Sequence, residues 1–367
     1  MARFIASHDV HIEGALPGGR RAPRGVALYA IYSASGGLSA SHRAMLRELR
    51  ASGHAIILIN STLAEGRAFL AAARPFADVI VLRANGGRDF ASWMAAVGLF
   101  YGDISGAEHW LFLNDSLLGP VCDTAPLWRA FARSPAEIWA LSDSLQENHH
   151  LQSSFFILRR AAFQSAAFLR YLSAYGFPEE RIEIVRQGEI GFSAAMKNSP
   201  LKLGVMVPHH KLVEAWLAEA PARQRWLDAL AEGEAPGLAA TLIPAQARAA
   251  FVRFAEGWLR ETEAAVRRGE ARNPQHHFWD TLITRFSCPF VKRDLLTFNP
   301  LHVPTVPRLF EIIGAAFQPD LMETLATLIG PAPAGGTVLR VSREALAVPP
   351  ANPAPKAPAR RRERAYA

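Results

Sequence analysis

Acidic and amide side chains recur in this chain just past short apolar runs, where a buried strand would deliver them to a cleft. Asn85-Gly86-Gly87-Arg88-Asp89 follows the run Val79–Leu82. Its glycines permit close backbone approach to a ligand, and Arg88 offers a planar fork suited to phosphate. Asp89 either accepts from a base or ribose or caps the helix that it opens. Asn114-Asp115-Ser116 follows Trp110–Leu113. A carboxylate at the end of a buried strand is costly unless used or paired. Asp115 reads as a ligand for a divalent cation, or for the water around one, that bridges a diphosphate; equally, Asn114-Asp115 reads as an Asx turn.

Four later segments extend the set. Trp139–Ser144 is another apolar run ending in an acid, Asp143. His149 and His150 precede Gln152, but adjacent histidines diverge and chelate one metal poorly. Gln187-Gly188-Glu189-Ile190-Gly191 sets one carboxylate between two glycines ahead of a helix. That suits a general base in a cleft, or an acid that stabilises a helix dipole. Asn273–Trp279 reads as a loop opening a helix, from which His276 or His277 can reach a site. Neither a P-loop nor a GxGxxG follows the first apolar run, which speaks against a kinase, a P-loop NTPase or a typical dehydrogenase.

The elements that must position these residues alternate. Val26–Ser33, Ile56–Asn60, Val79–Leu82 and Trp110–Leu113 read as strands, with helices over Leu38–Leu49, Leu63–Ala73 and from Asp89 through Tyr101. Such alternation predicts an α/β fold with a doubly wound, mainly parallel sheet and ligands at the strand carboxyl ends. From about His210 the pattern changes to long helices, such as Pro244–Arg268 and Pro307–Ile329. The expected division is a tail over 1–24, an α/β domain over 25–210, a helical region over 211–330 packed on it, and an unstructured Pro/Ala/Arg-rich tail over 331–367.

Of 367 residues, 40 are basic and 33 acidic, for a net charge of +7 and a pI near 9.8. The excess lies in the tails: residues 1–24 carry +2, residues 331–367 carry +5, and 25–330 are balanced. A balanced body without interleaved basic and aromatic residues is not a nucleic-acid surface. Half the residues are hydrophobic, which excludes a disordered chain, and no apolar run is long enough to span a membrane. The first residues lack a signal peptide's apolar stretch, and Cys122 and Cys288 lack zinc spacing; a cytoplasmic protein with buried free thiols is expected. Arg360–Arg364 could lean on anionic lipid headgroups at the inner face of a membrane.

Taken together, NGGRDFASW (85–93), WLFLNDSLLGPV (110–121), HLQSSFFILRR (150–160), GEIGFS (188–193) and NPQHHFWDTLITRFSCPFVKRDLL (273–296) resemble the rhamnan synthesis protein F family, bacterial polysaccharide-assembly proteins regarded as glycosyltransferases. The resemblance implies a GT-A-like fold and transfer of rhamnose or a related sugar from a nucleotide-sugar to a growing glycan, free or lipid-linked. On that reading Asn85, Gly87, Arg88, Asp89, Asn114, Asp115 and Ser116 bind the nucleotide-sugar. Glu189 is the base of an inverting transfer, with Asp143 second to it, and His150, Gln152 and His276 border the sugars. Asn114 and Ser116 stand where GT-A enzymes carry the two acids of Asp-x-Asp, which leaves only Asp115 for a metal. The missing acids also suit a catalytically silent glycan-binding or scaffolding subunit.

Overall fold

Gly25–Ile31 (β2), His54–Asn60 (β3), Val79–Arg83 (β4) and His109–Asn114 (β5) are apolar runs, buried throughout except at His109. Strands covered on both faces read this way. They lie parallel in a computed structural model that describes residues 10–17, 23–234, 243, 245–297 and 299–313. Val10–Gly14 (β1), Ile138–Ser144 (β7), Phe155–Arg159 (β9) and Leu203–Val207 (β10) complete the sheet, in the order β1-β4-β3-β2-β5-β9-β7-β10, and His150–Leu151 (β8) pairs with β7.

The sheet is mainly parallel with three exceptions, one of them the two-residue β8, antiparallel to β7. β9 runs antiparallel between β5 and β7. Only residues 145–154 separate β7 from β9, and a parallel return would need a crossover of about a dozen residues or more. At the far edge, Val10–Gly14 pairs antiparallel with β4; the sequence places these residues in a tail. The C-terminal tail, residues 331–367, lies outside the described residues, as does the distal part of the helix expected over Pro307–Ile329.

Alternation along β2 shows how both faces are covered. Ala27, Tyr29 and Ile31 enter one core with Met45, Leu46 and Phe69. Val26, Leu28 and Ala30 enter the other with Phe90, Trp93, Met94 and Val97. The second group comes from the helix Arg88–Ile104, so burying that stripe fixes where Asp89 stands. Helices His209–Ala218 and Trp279–Phe286 add Trp216 and Leu282 to the first core, which seats the C-terminal helical region on the sheet. A buried ion pair, Arg308 to Asp280 at 2.8 Å, lies within that region. Finally, Val291–Lys292 (β11) pairs antiparallel with Leu117–Leu118 (β6) just past β5, bringing a distant segment to the sheet's carboxyl edge.

Cys288 is buried and Cys122 partly buried, both as free thiols. Among the described residues no helix is long and apolar enough to cross a membrane.

The opposite edge of the sheet holds a pair of histidines. His54 and His109 begin β3 and β5, with their Nε2 atoms 3.0 Å apart. Gly25 lies between them, and a Cβ there would stand 2.5 Å from His109 Nε2. Burial pulls His54 down to about 3, helped by the charge of His109, and pulls His109 down to about 4. An unfolded chain binds protons that these rings refuse, so stability falls as pH drops below about 6.5. Urea unfolding between about pH 7 and pH 4.5 should lose on the order of 1 kcal/mol per pH unit for each ring that titrates. The His54→Gln/His109→Gln variant should show a flatter slope; an unchanged slope would place the acid sensitivity elsewhere.

Candidate active site at the carboxyl edge of the sheet

Because β2 to β5 run parallel, their carboxyl ends share one edge; β7 and β10 end there and β9 begins there. Side-chain amides and carboxylates shape the connecting loops. Asn60, the last residue of β3, accepts from the Ser33 amide at 2.9 Å and donates to the Ser33 carbonyl at 3.2 Å. Asp115 Oδ2 accepts from the Tyr32 amide at 3.2 Å. Both bonds fix the loop after β2.

After β4 the chain turns around a buried guanidinium. Arg83, 1% exposed, donates to Ser92 Oγ at 2.8 Å and to the Gly86 carbonyl. Gly87 and Arg88 both have positive φ, 68° and 51°. Gly87 is buried, and a Cβ there would stand 2.5 Å from Ala91 Cβ. Close packing therefore accounts for that glycine without a ligand. Asn85 and Arg88 are exposed.

Asp89 does not cap its helix. Its Oδ2 accepts from Asn114 Nδ2 at 2.7 Å. Asn114 Oδ1 in turn accepts from the Ser116 amide at 3.2 Å and from Ser116 Oγ, which is an Asx turn. Burial and the nearby charge of Asp115 push Asp89 up to about 6, against the Asn114 bond and the charges of Lys292 and Arg88. For Asp115 burial also acts upward. The His42 ring 3.8 Å away, the Arg293 guanidinium and the Tyr32 amide outweigh it and hold the carboxyl below its ordinary value.

Glu189 lies in a π-helical turn, Val185–Ile190, inside a helical stretch from Arg181 to Lys197, rather than in a loop ahead of a helix. Wide turns of this kind cluster at functional sites. A Cβ on Gly188 would stand 2.7 Å from Phe90, so the glycine lets this turn press against the helix that carries Asp89. Glu189 Oε1 accepts from His150 Nε2 at 2.9 Å and Gln152 Nε2 at 3.0 Å. Its Oε2 accepts from Ser153 Oγ and, at 3.4 Å, from the Ser153 amide. His150 Nδ1 faces the Asn148 carbonyl at 2.7 Å, which leaves Nε2 to serve the carboxylate. Burial raises the Glu189 carboxyl, but His150, Ser153 and the charge of Lys292 bring it below its ordinary value. His150 is lowered by burial and then raised above its ordinary value by Glu189.

Two expected residues lie apart from this group. Asp143 bonds His149 Nε2 at 2.6 Å and accepts from the His209 amide at 2.7 Å. It anchors the start of His209–Ala218, and among the described residues no hydrogen bond joins it to Glu189. His276 is held between Asn273 Oδ1 at 2.8 Å and Asp294 Oδ1 at 2.9 Å, so it reaches the site through Asp294, on which Lys292 also acts.

Residues not foreseen from sequence are His42, Ser153, Lys292 and Arg293. Lys292 Nζ donates to Ser116 Oγ at 3.2 Å, and Arg293 contacts His42 Nε2 at 3.3 Å. Lys292-Arg293 lies inside the 273–296 motif, and two cations side by side after an apolar Phe-Val pair was the available signal.

The donor set does not fit a resident divalent ion. Among the described residues no three His, Cys, Asp or Glu side chains converge as ligands. Asp115 turns its Oδ2 to the Tyr32 amide and the His42 ring, Asp89 is bonded to Asn114, and a lysine sits on neighbouring Ser116.

Residues 55–223 match the family model described as rhamnan synthesis protein F. This stretch is similar to that family. The rhamnan synthesis match contains the first four sequence motifs and ends before 273–296, so Lys292 and His276 lie outside it. Among curated proteins none matches. The crystal structure of the glycosyltransferase GlyE from Streptococcus pneumoniae TIGR4 is 12% identical at a TM-score of 0.33, over 56% of this chain and 51% of that one. The chain thus spans about half the length of GlyE, and a likeness this loose carries nothing about chemistry.

The His150–Glu189 pair has a defined pH signature. The raised histidine contributes stability below its unfolded value of 6.5, lost as pH climbs through its folded value. The lowered carboxyl contributes above its unfolded value of 4.5, lost as pH falls through its folded value. In Glu189→Gln, burial of His150 persists without the carboxylate. An NMR titration should therefore find His150 above 6.5 in the wild type and below 6.5 in the variant. An unmoved titration would show that Glu189 does not set it.

Proposed function

We propose that this protein is a nucleotide-sugar-dependent glycosyltransferase of polysaccharide assembly, GT-A-like in its site, with a rhamnose-type donor and a glycan or lipid-linked glycan acceptor. One observation carries the reading. Asp89, Asn114, Asp115 and Ser116 meet Glu189, His150, Gln152 and Ser153 at one strand edge, within residues 55–223 that match the rhamnan synthesis family.

The proposed step is an inverting displacement. The acceptor hydroxyl oxygen bonds to the anomeric carbon as that carbon's bond to the phosphate oxygen breaks. The bonding pair leaves with the nucleoside diphosphate, and the hydroxyl proton passes to Glu189, which later returns it to water. Glu189 is favoured over Asp143 because Asp143 is turned to His149 and the His209 amide, apart from the Asn114 turn, whereas the charge of Lys292 on that turn reaches Glu189. His150 and Gln152 orient the Glu189 carboxylate and border the sugar, and His276 flanks the acceptor side through Asp294. Exposed Asn85 and Arg88 face the nucleotide.

A panel of nucleotide-sugars, with and without Mn²⁺, should raise the melting temperature for one nucleotide class by mass action. With that donor, Glu189→Gln should lower turnover by about 10²- to 10⁴-fold while binding persists. Wild-type turnover in the variant would remove Glu189 as base. The full satisfaction of Glu189 at rest favours a second reading, a glycan-binding subunit without turnover. Glycan binding with no hydrolysis or transfer from any donor would select it.

A further inference from the structure

We propose that Lys292 is the cation that receives the donor's diphosphate. The inference rests on the glycosyltransferase reading and specifies what that reading leaves open, namely which group carries the phosphate charge.

Position is set by backbone pairing. Lys292 lies opposite Leu117 in the β6–β11 pair, and the neighbouring Arg293 amide donates to the Ser116 carbonyl at 2.8 Å. This pairing thus locks the lysine beside Asn114-Asp115-Ser116. Its Nζ donates to Ser116 Oγ at 3.2 Å, one of the three bonds an ammonium can make.

The surroundings show what the remaining donors do not do. The charge of Lys292 reaches Asp89, Glu189 and Asp294, yet among the described residues it forms an ion pair with none of them. Each acid has its own partner: Asn114 for Asp89, His150 for Glu189 and His276 for Asp294. A lysine kept only to neutralise these carboxylates would close on one. This one is held by a hydroxyl, half-buried, with donors to spare at the strand edge where α/β sheets bind ligands.

Arg293 adds a second cation. It contacts His42, and its Nε has no hydrogen-bond partner. Asn114 and Ser116 bring no charge to the turn, and the one carboxylate between them, Asp115, is turned to the Tyr32 amide and offset by Arg293, so phosphate beside Ser116 meets ammonium and guanidinium groups. A fixed donor stabilises a departing diphosphate without reorganising. Charge-assisted bonds to phosphate are also the strong class.

The test measures calorimetric binding of UDP, GDP and dTDP to the full chain in EDTA and again in Mg²⁺. At least one diphosphate should bind in EDTA, more tightly than its monophosphate. Lys292→Met should weaken that diphosphate about 10- to 100-fold and leave the monophosphate unchanged, while Lys292→Arg recovers part of the loss. Thermal unfolding of each variant separates misfolding from lost contact, and Lys292→Gln serves if the methionine variant does not fold. Equal diphosphate affinity in folded Lys292→Met overturns the role of Lys292 and leaves the donor reading standing. So does binding that needs Mg²⁺ and ignores the substitution. If no diphosphate binds under either condition, the glycosyltransferase reading falls and this inference with it.

Discussion

Three carboxylates, Asp89, Asp115 and Glu189, are drawn out of water at one edge of a hydrophobic sheet, and the site is organised around that cost. Withdrawing an ionised acid is unfavourable unless hydrogen bonds and opposite charge replace its hydration. Each acid is answered differently. Asp89 receives one amide bond, and burial with the charge of Asp115 pushes it up to about 6. Asp115 receives a backbone amide and is held below its ordinary value near His42 and Arg293. Glu189 receives an imidazole, an amide and a serine and is likewise held below its ordinary value. One acid at this edge is thus raised and two are lowered, the kind of separation that acid and base roles draw on.

These partners come from well-separated parts of the chain. The Asn114 turn belongs to the first half, the Glu189 turn to the helical stretch after β9, and Lys292 to a short strand that pairs with β6 from more than a third of the chain away. The β6–β11 pairing involves two residues on each side, too few to stand alone. It persists because Val291, Leu295 and Leu296 pack into a separate apolar cluster with Leu118 and Trp279. The C-terminal helical region therefore finishes the site that the α/β domain begins.

Legibility in the sequence follows physical scale. β2 to β5 and the helix Arg88–Ile104 were readable because burial on both sheet faces, or along one helical stripe, leaves a periodic mark. Strand-end polar residues were readable for the same reason, and Asn114, Asp115, His150, Gln152 and Glu189 fall at one edge. The reversal of β9 was recoverable only from the shortness of residues 145–154, and β1 is too short and exposed to signal burial. The π turn around Glu189 depends on Gly188 meeting Phe90, a contact between distant residues that no local period encodes. Gly87 shows how one residue serves two demands: a glycine that suits a ligand also suits a crowded helix start, where a Cβ would meet Ala91. His42, Lys292 and Arg293 were hidden because long-range pairing alone brings them to the edge.

How a carboxylate so well satisfied can take a proton turns on which of its bonds yields. Glu189 accepts from four donors. The bond from His150 is part of an ion pair, and breaking it would strand a buried charge. The amide of Ser153 is long at 3.4 Å and fixed by the backbone. Gln152 is neutral but serves Oε1 beside His150. On the proposed transfer Ser153 Oγ is the donor on Oε2 that can rotate away without stranding charge, since a hydroxyl both donates and accepts. An acceptor sugar hydroxyl that displaces it would meet Oε2 while His150 and Gln152 keep Oε1 in place. The arrangement thus leaves one oxygen oriented and the other exchangeable, which reconciles a carboxylate held below its ordinary value with a role in moving a proton.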